Sequence, residues 1–187
     1  MRLFTLEHGK AAYGADFALY GTVVVLLAAL VLAAPRQHWI ENSILVVGSW
    51  AGWTAIEYAL HRFVLHGLPP FRRWHAEHHL RPAALICTPT ILSATLIATL
   101  VFLPVLLVGG WWRACAMTLG VLTGYLVYAI THHAIHHWRA GNAWLMERKR
   151  WHALHHHIGQ PVCYGVTSAF WDHVFGTAHR APSRTDD

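Results

Sequence analysis

Four apolar runs, each long enough to cross a bilayer, set the first constraint on this chain of 187 residues. They cover approximately residues 17–34, 43–60, 90–108 and 114–131. About 18 helical residues at 1.5 Å each reach roughly 27 Å, enough for a thin hydrocarbon core. In lipid every backbone polar group must be satisfied within its own segment, so each run is expected to be a helix. Pro104 is expected to kink the third. The first run is too long for the core of a signal peptide, and Leu32-Ala33-Ala34 is a poor cleavage site, so it reads as a span. The expected fold is therefore all-α, a single membrane-embedded domain over 1–187 with four transmembrane helices. A disordered tail is expected at 182–187.

Composition agrees. Charged residues make up 12% of the chain, about half the share of a soluble domain. The ten tryptophans suit a membrane–water interface. A net charge of +5 would raise nucleic-acid binding in a soluble protein. Here the basic residues sit in short loops between apolar runs, where they set topology and meet anionic headgroups, so no nucleic-acid partner is expected. Cys87, Cys115 and Cys163 match no metal spacing and read as inert small apolar residues.

The N-terminus, the 61–89 segment and the stretch after 131 carry 2, 4 and 6 Lys/Arg, while the other two connections carry only Arg36 and Arg113. The positive-inside rule puts both termini and the 61–89 segment in the cytoplasm. Trp39, Trp111 and Trp112 then mark the opposite interface.

Histidine is the anomaly, with 17 copies against 14 Lys and Arg together. The clustered ones all follow the second or the fourth span, so two hairpins deliver them to one face, a cytoplasmic helical cap. His61 and His66 form one pair. His75, His78 and His79 form H-x-x-H-H, as do His152, His155 and His156. His132 and His136 stand four apart. On a helix, positions i, i+3 and i+4 share a face, so each triplet is expected to aim three imidazoles at one place. His61 and His66, five apart, lie roughly 140° around an ideal helix and cannot simply share a face. They could flank a site or reach different metals.

Ten histidines are too many for one metal ion, and they divide sensibly between two first-row ions with open positions. Nearby carboxylates are few, Glu57, Glu77 and Asp172, so a ferritin-like carboxylate centre is excluded. At most these acids orient ring N–H groups from behind. Glu57 and Tyr58 could instead line a cavity, with a hydrogen-bonded strut as the other reading of Glu57. Residues 73–79 and 150–156 agree at every position but one, which implies two pseudo-equivalent halves. His8, His38, His157 and His179 read as bystanders, and His133, His137 and His173 stay open. Trp144-Leu145-Met146 and the basic 147–150 segment read as interfacial, with the basic residues facing headgroups.

The four boxes, followed by Tyr164-Gly165-Val166-Thr167-Ser168 and Trp171-Asp172-His173-Val174-Phe175-Gly176-Thr177, resemble the fatty acid hydroxylase superfamily over roughly residues 50–178. His133 departs from that pattern, in a place often held by an aromatic residue. The resemblance implies a non-haem centre of two iron ions that activates O2 with two supplied electrons and oxidises a C–H bond of a lipid. Zinc is a possible substitute in a purified sample. The implied ligands, which are also the implied catalytic residues, are His61, His66, His75, His78, His79, His132, His136, His152, His155 and His156. No cytochrome b5 domain is fused within these residues, so a separate electron-donor protein of the cytochrome b5 or ferredoxin kind is expected. The leading function is a membrane-bound lipid hydroxylase acting on a fatty acyl chain. Carotenoid ring hydroxylation, or sterol oxidation or desaturation, by the same centre is the nearest alternative. A histidine-rich metal transporter or metal-buffering membrane protein is the alternative of another class. A transporter should hold ionisable ligands near the bilayer midplane, whereas these lie at span ends.

Overall fold

A computed structural model describes residues 7–157 and 162–179, so the tail expected at 182–187 lies outside the described residues. Within them the chain is helical, with an isolated antiparallel bridge between Glu7 and Ile86 and no strand. The helices are α1 (Lys10–Leu32), α2 (Trp39–Ala59), α3 (Phe71–Leu80), α4 (Thr90–Gly109), α5 (Trp111–His137), α6 (Ala143–His157) and α7 (Phe170–Val174). Three of them, α1, α4 and α5, are long and apolar enough to cross a membrane. The second expected span falls in α2, which has 21 residues but is interrupted by Glu41, Asn42 and Glu57 and is not among those three.

Side-chain contacts fix the directions of the helices. Glu41 pairs with Arg113 at 2.6 Å, and further along Trp53 meets Gly124, so α2 and α5 run parallel from a common starting end. Thr90 donates to Asp16 at 2.5 Å, and Tyr20 and Ser93 hydroxyls lie 2.7 Å apart, so α1 and α4 are also parallel. His133 lies beside Tyr13 and Tyr125 meets Tyr20 edge to face, which makes α1 antiparallel to α5. The ends of α2 and α5 and the starts of α1 and α4 therefore share one end of the bundle. Trp39, which donates to the Ala34 carbonyl at 2.8 Å, and Trp112, beside His38, lie at the other.

Small residues make α5 the central helix. Ala114, Cys115 and Ala116 are fully buried. A Cβ at Gly120 would fall 2.3 Å from the Val46 carbonyl oxygen, and one at Gly124 would fall 2.5 Å from Trp53 Cβ. Backbones that approach this closely are the usual packing of membrane helices, where hydrophobicity supplies no attraction between them. Gly120→Ala is expected to destabilise the α2–α5 pair by ~1–3 kcal/mol. In a thermal melt of detergent-solubilised protein that lowers the midpoint by about 2–4 °C per kcal/mol.

Away from α5 the apolar side chains point outward: Val25, Leu107 and Val108 are 67%, 77% and 89% exposed. In water such a surface would aggregate, but in lipid it is a normal outer surface. The middle of α4, Ala98–Phe102, winds as a π turn immediately before Pro104. The disturbance expected at the proline thus takes the form of a widened turn inside one helix.

Candidate metal centre

The chain leaves α2 through a π turn, Leu60–Leu65, in which the His66 N–H donates to the His61 carbonyl at 3.2 Å. An i to i+5 hydrogen bond widens the turn until residues five apart share a face. The rings of His61 and His66 consequently lie 5.2 Å apart. This corrects the expectation, drawn from ideal α geometry, that the pair could not simply share a face.

The boxes converge at the histidine end of the bundle as two groups. His61, His66, His75, His79 and His155 form one, and His78, His136, His152 and His156 form the other, with ring nitrogens within 4.8 Å of one another in each. His132 adjoins the second group, its ring 4.7 Å from those of His78 and His136 and 5.0 Å from that of His152. All ten clustered histidines are thus brought together, but the triplets divide in a way the spacing did not announce. On α3, His75 and His79 enter the first group and His78 crosses to the second; on α6, His152 and His156 enter the second and His155 crosses to the first. Each triplet therefore does not aim at one place. The i, i+4 pair stays with its own half and the i+3 residue is exchanged, a pseudo-twofold arrangement that interlocks the halves. His79 and His156 stack at 4.1 Å where the groups meet.

Hydrogen bonds behind the rings fix which nitrogen is free. A carbonyl can only accept, so the 2.5 Å contact between His61 Nδ1 and the Tyr164 carbonyl places the proton on Nδ1. His155 Nδ1 likewise donates to the Val162 carbonyl at 2.8 Å. The Nε2 lone pairs of both neutral rings then point inward, within 3.0 Å of His75 Nε2 and His66 Nε2 respectively. His75 Nε2 also meets His79 Nε2 at 3.0 Å, and His152 Nε2 meets His136 at 2.9 Å and His156 at 3.0 Å. Both ring nitrogens of His78 are buried without a hydrogen-bond partner among the described residues. One ring proton cannot serve several converging lone pairs, whereas a cation can. The two groups therefore fit metal ions, and imidazole is a ligand for several first-row metals.

Carboxylates act one step further back than expected. Backbone carbonyls, not acids, receive the N–H groups of His61 and His155, and the acids hold the loop that bears those carbonyls. Asp172, fully buried, accepts from the N–H groups of Tyr164 and Gly165, both at 2.8 Å, and from the Thr177 hydroxyl. Glu57 accepts from the N–H groups of Val166 and Thr167 at 2.8 and 2.9 Å and from the Thr167 hydroxyl at 2.6 Å. Glu57 is thus a strut, and Tyr58, bonded to Thr177 and Arg62, is another. Between the two carbonyls Cys163 adopts a left-handed conformation, φ 57°, uncommon for a side-chain-bearing residue and tied by its N–H to the Thr177 carbonyl.

Burial holds these rings neutral. It is the main reason that His66, His78 and His156 are pushed down to about 3 and His79 to about 4, with neighbouring imidazoles adding to the effect. An unfolded histidine protonates near 6.5, so as pH falls below that value the unfolded chain takes up protons that the folded one refuses. The metal-free protein is therefore expected to lose stability steadily as pH falls from about 6.5 towards about 3, and to be insensitive above that window. Thermal melts of chelator-treated protein between about pH 8 and about pH 5 check the sign; a midpoint that rises on acidification would contradict it.

The remaining histidines stay outside both groups. His133 and His137 stack on each other at 4.5 Å, with His133 against Tyr13. His173 is exposed and bonds to the Ala169 carbonyl. His157 and His179 are exposed, and His8 and His38 are in neither group. The 147–150 segment departs from the interfacial reading, since Arg148 is buried over the Trp151 ring and Lys149 donates to the Ile135 carbonyl near the end of α5.

Beside the centre lies a cavity of about 110 Å³ between α1, α3, α5 and residues 86–88. His75, His78 and His132 form part of its wall, and Asp16, from the first turns of α1, forms another part. Sequence reasoning began the first span at residue 17 and so passed over Asp16. An acid just before an apolar run was the available signal.

The fold and site define a class: a helical membrane protein carrying, at one end, two adjoining histidine cages fit for metal. Residues 46–177 match the family model named fatty acid hydroxylase. The ceramide very long chain fatty acid hydroxylase of Schizosaccharomyces pombe is 36% identical over 138 residues, which cover 67% of this chain and 39% of that protein. A dihydroceramide fatty acyl 2-hydroxylase of Arabidopsis thaliana is 30% identical over 203 residues, covering 91% of this chain and 81% of that one. Among solved structures, the visible hydroxylase domain of full-length Scs7p superposes with a TM-score of 0.77 at 27% identity, covering 94% of this chain and 68% of that one. The chain belongs to the fatty acid hydroxylase family. It spans 39% and 56% of the lengths of the first two relatives it matches.

Proposed function

We propose that the chain is a membrane-bound oxidoreductase that hydroxylates the acyl chain of a lipid at the carbon next to the carbonyl, using O2 and two iron ions. The observation that carries this reading is the pair of interlocked histidine cages opening on a cavity lined by His75, His78 and His132. The ten boxed histidines are the ligands, five to each ion, with His132 completing the second cage as the counterpart of His61. Iron in the cages supplies the reductive activation of O2 that attack on an unactivated C–H bond requires. The balance is one O2, two electrons and two protons for each C–H converted to C–OH, with one water released. The protein's part is to keep the rings neutral and correctly turned through the Tyr164 and Val162 carbonyls. Phe17, Leu126 and Ala129 exclude water where the reacting carbon lies.

The whole chain forms one membrane-embedded domain. In this reading α2 crosses the bilayer beside α5, which it accompanies in parallel, to give four spans. The Lys/Arg distribution puts the termini and histidine end in the cytoplasm. There the exposed Arg72, Arg73 and Arg150 offer a basic surface to an electron-donating redox protein of the cytochrome b5 or ferredoxin kind.

Lipid extracts from cells expressing the protein, compared with cells expressing His155→Ala, are expected to differ in 2-hydroxyacyl lipids. Oxidised sterol or carotenoid in their place would move the assignment to another substrate. Metal flux without any oxidised lipid would replace the enzyme with a transporter.

A further inference from the structure

The cavity has two chemically different walls. One carries the rings of His75, His78 and His132, and the other carries Asp16, Tyr13 and Tyr20 from α1. Most of the rest is apolar. At about 110 Å³, and roughly 10–15 Å³ for each water-sized group, it admits on the order of ten heavy atoms, enough for the polar end of a lipid and the start of its chain but not for a whole long acyl chain. A lipid attacked beside its carbonyl must put its polar end within a bond or two of the reacting carbon, so that end lies in this cavity.

Asp16 is the acidic residue in the cavity wall. Its Oδ1 accepts from Thr90 at 2.5 Å, while Oδ2 is not among the buried atoms that lack a partner and stays accessible on a half-buried side chain. A carboxylate that lines a mostly apolar cavity with one oxygen free to accept favours a hydrogen-bond donor there and repels a second negative charge. We infer that Asp16 is a specificity-determining residue: it anchors the polar end of the lipid by accepting a hydrogen bond from an uncharged donor such as an amide N–H or a hydroxyl, and it excludes free carboxylates. The inference rests on the acyl-hydroxylase reading above and narrows it to neutral acyl lipids that carry a donor next to the acyl carbonyl.

The bland reading of Asp16 is a strut between α1 and α4 through Thr90, and the test separates the two. Purified, zinc-loaded protein in detergent, which does no oxygen chemistry, is titrated with a short-chain N-acyl amino alcohol and with the free fatty acid of the same chain length. The wild type is expected to bind the amide more tightly. Asp16→Asn keeps an acceptor for Thr90 but removes the charge, and it is expected to shift the ratio of the two Kd values towards the free acid by about tenfold or more. Thr90→Val removes the strut bond and leaves the carboxylate, so it is expected to keep the wild-type ratio even if it lowers the melting midpoint. A ratio that Asp16→Asn leaves within about twofold of wild type, or that Thr90→Val shifts equally, overturns the inference. So does a wild type that binds neither lipid or prefers the acid. The expected binding ratios without any hydroxylated product in cells would sink the enzymatic reading alone.

Discussion

Replacing His78 with alanine is expected to abolish the proposed hydroxylation and to halve the metal that co-purifies with the protein, leaving the helical bundle folded. His78 belongs by sequence to the first half, on α3, but its ring sits with His136, His152 and His156 of the second. Both its nitrogens are buried and without a hydrogen-bond partner among the described residues, so its removal takes one ring from the proposed cage without breaking a hydrogen bond. Loss of groups merely supporting a ligand costs about 10–100-fold in affinity or activity, and loss of a ligand should cost at least that. Pairs of substitutions test the exchange itself. If His78 serves the second ion, His78→Ala with His152→Ala leaves one ion bound, while His78→Ala with His75→Ala leaves none. If each triplet serves its own ion, those outcomes reverse. Metal analysis of the purified variants reads the difference directly, and His179→Ala, exposed and outside both cages, is the control expected to change nothing.

The sequence made the boxes legible because the i, i+4 spacing of His75/His79 and His152/His156 is a property of any α-helix. It could not reveal the exchange of His78 and His155. That depends on where α3 and α6 cross, which is set by packing across the whole bundle. The sharing of a face by His61 and His66 was hidden for another reason: a π turn is a shift in backbone hydrogen-bond register, and side-chain periodicity assumes the normal register. Three of the expected spans were plain from apolar length, whereas α2 carries Glu57 through its last turn because that side chain is consumed by the 166–167 backbone. The carbonyls of Val162 and Tyr164 were beyond sequence reasoning altogether, since a main-chain acceptor has no residue-type signature. Asp172 and Gly165 were the nearest visible trace of them.

Asp172→Ala is expected to be the most damaging substitution outside the histidines. It would leave the Tyr164 and Gly165 N–H groups and the Thr177 hydroxyl without their acceptor. An orphaned buried donor costs about 1–3 kcal/mol, so a total of ~3–5 kcal/mol remains after the loop relaxes. Relaxation is itself harmful, because it moves the Tyr164 carbonyl away from His61 Nδ1, and metal affinity should fall by about 10–100-fold. There is little room for another arrangement, since a Cβ at Gly165 would already meet the Ser168 carbonyl oxygen. Amide substitutions separate hydrogen bonding from charge. In Glu57→Gln the amide oxygen can keep both backbone donors while its NH2 donates to the Thr167 hydroxyl, so every contact survives and little should change. In Asp172→Asn an oxygen turned to Tyr164 and Thr177 sets the NH2 against the Gly165 N–H, donor facing donor. Asp172→Asn should therefore lose metal and stability where Glu57→Gln does not. Equal sensitivity of the two, measured by metal content and thermal melting, would mean that negative charge, and not the pattern of acceptors, holds the loop behind the histidines.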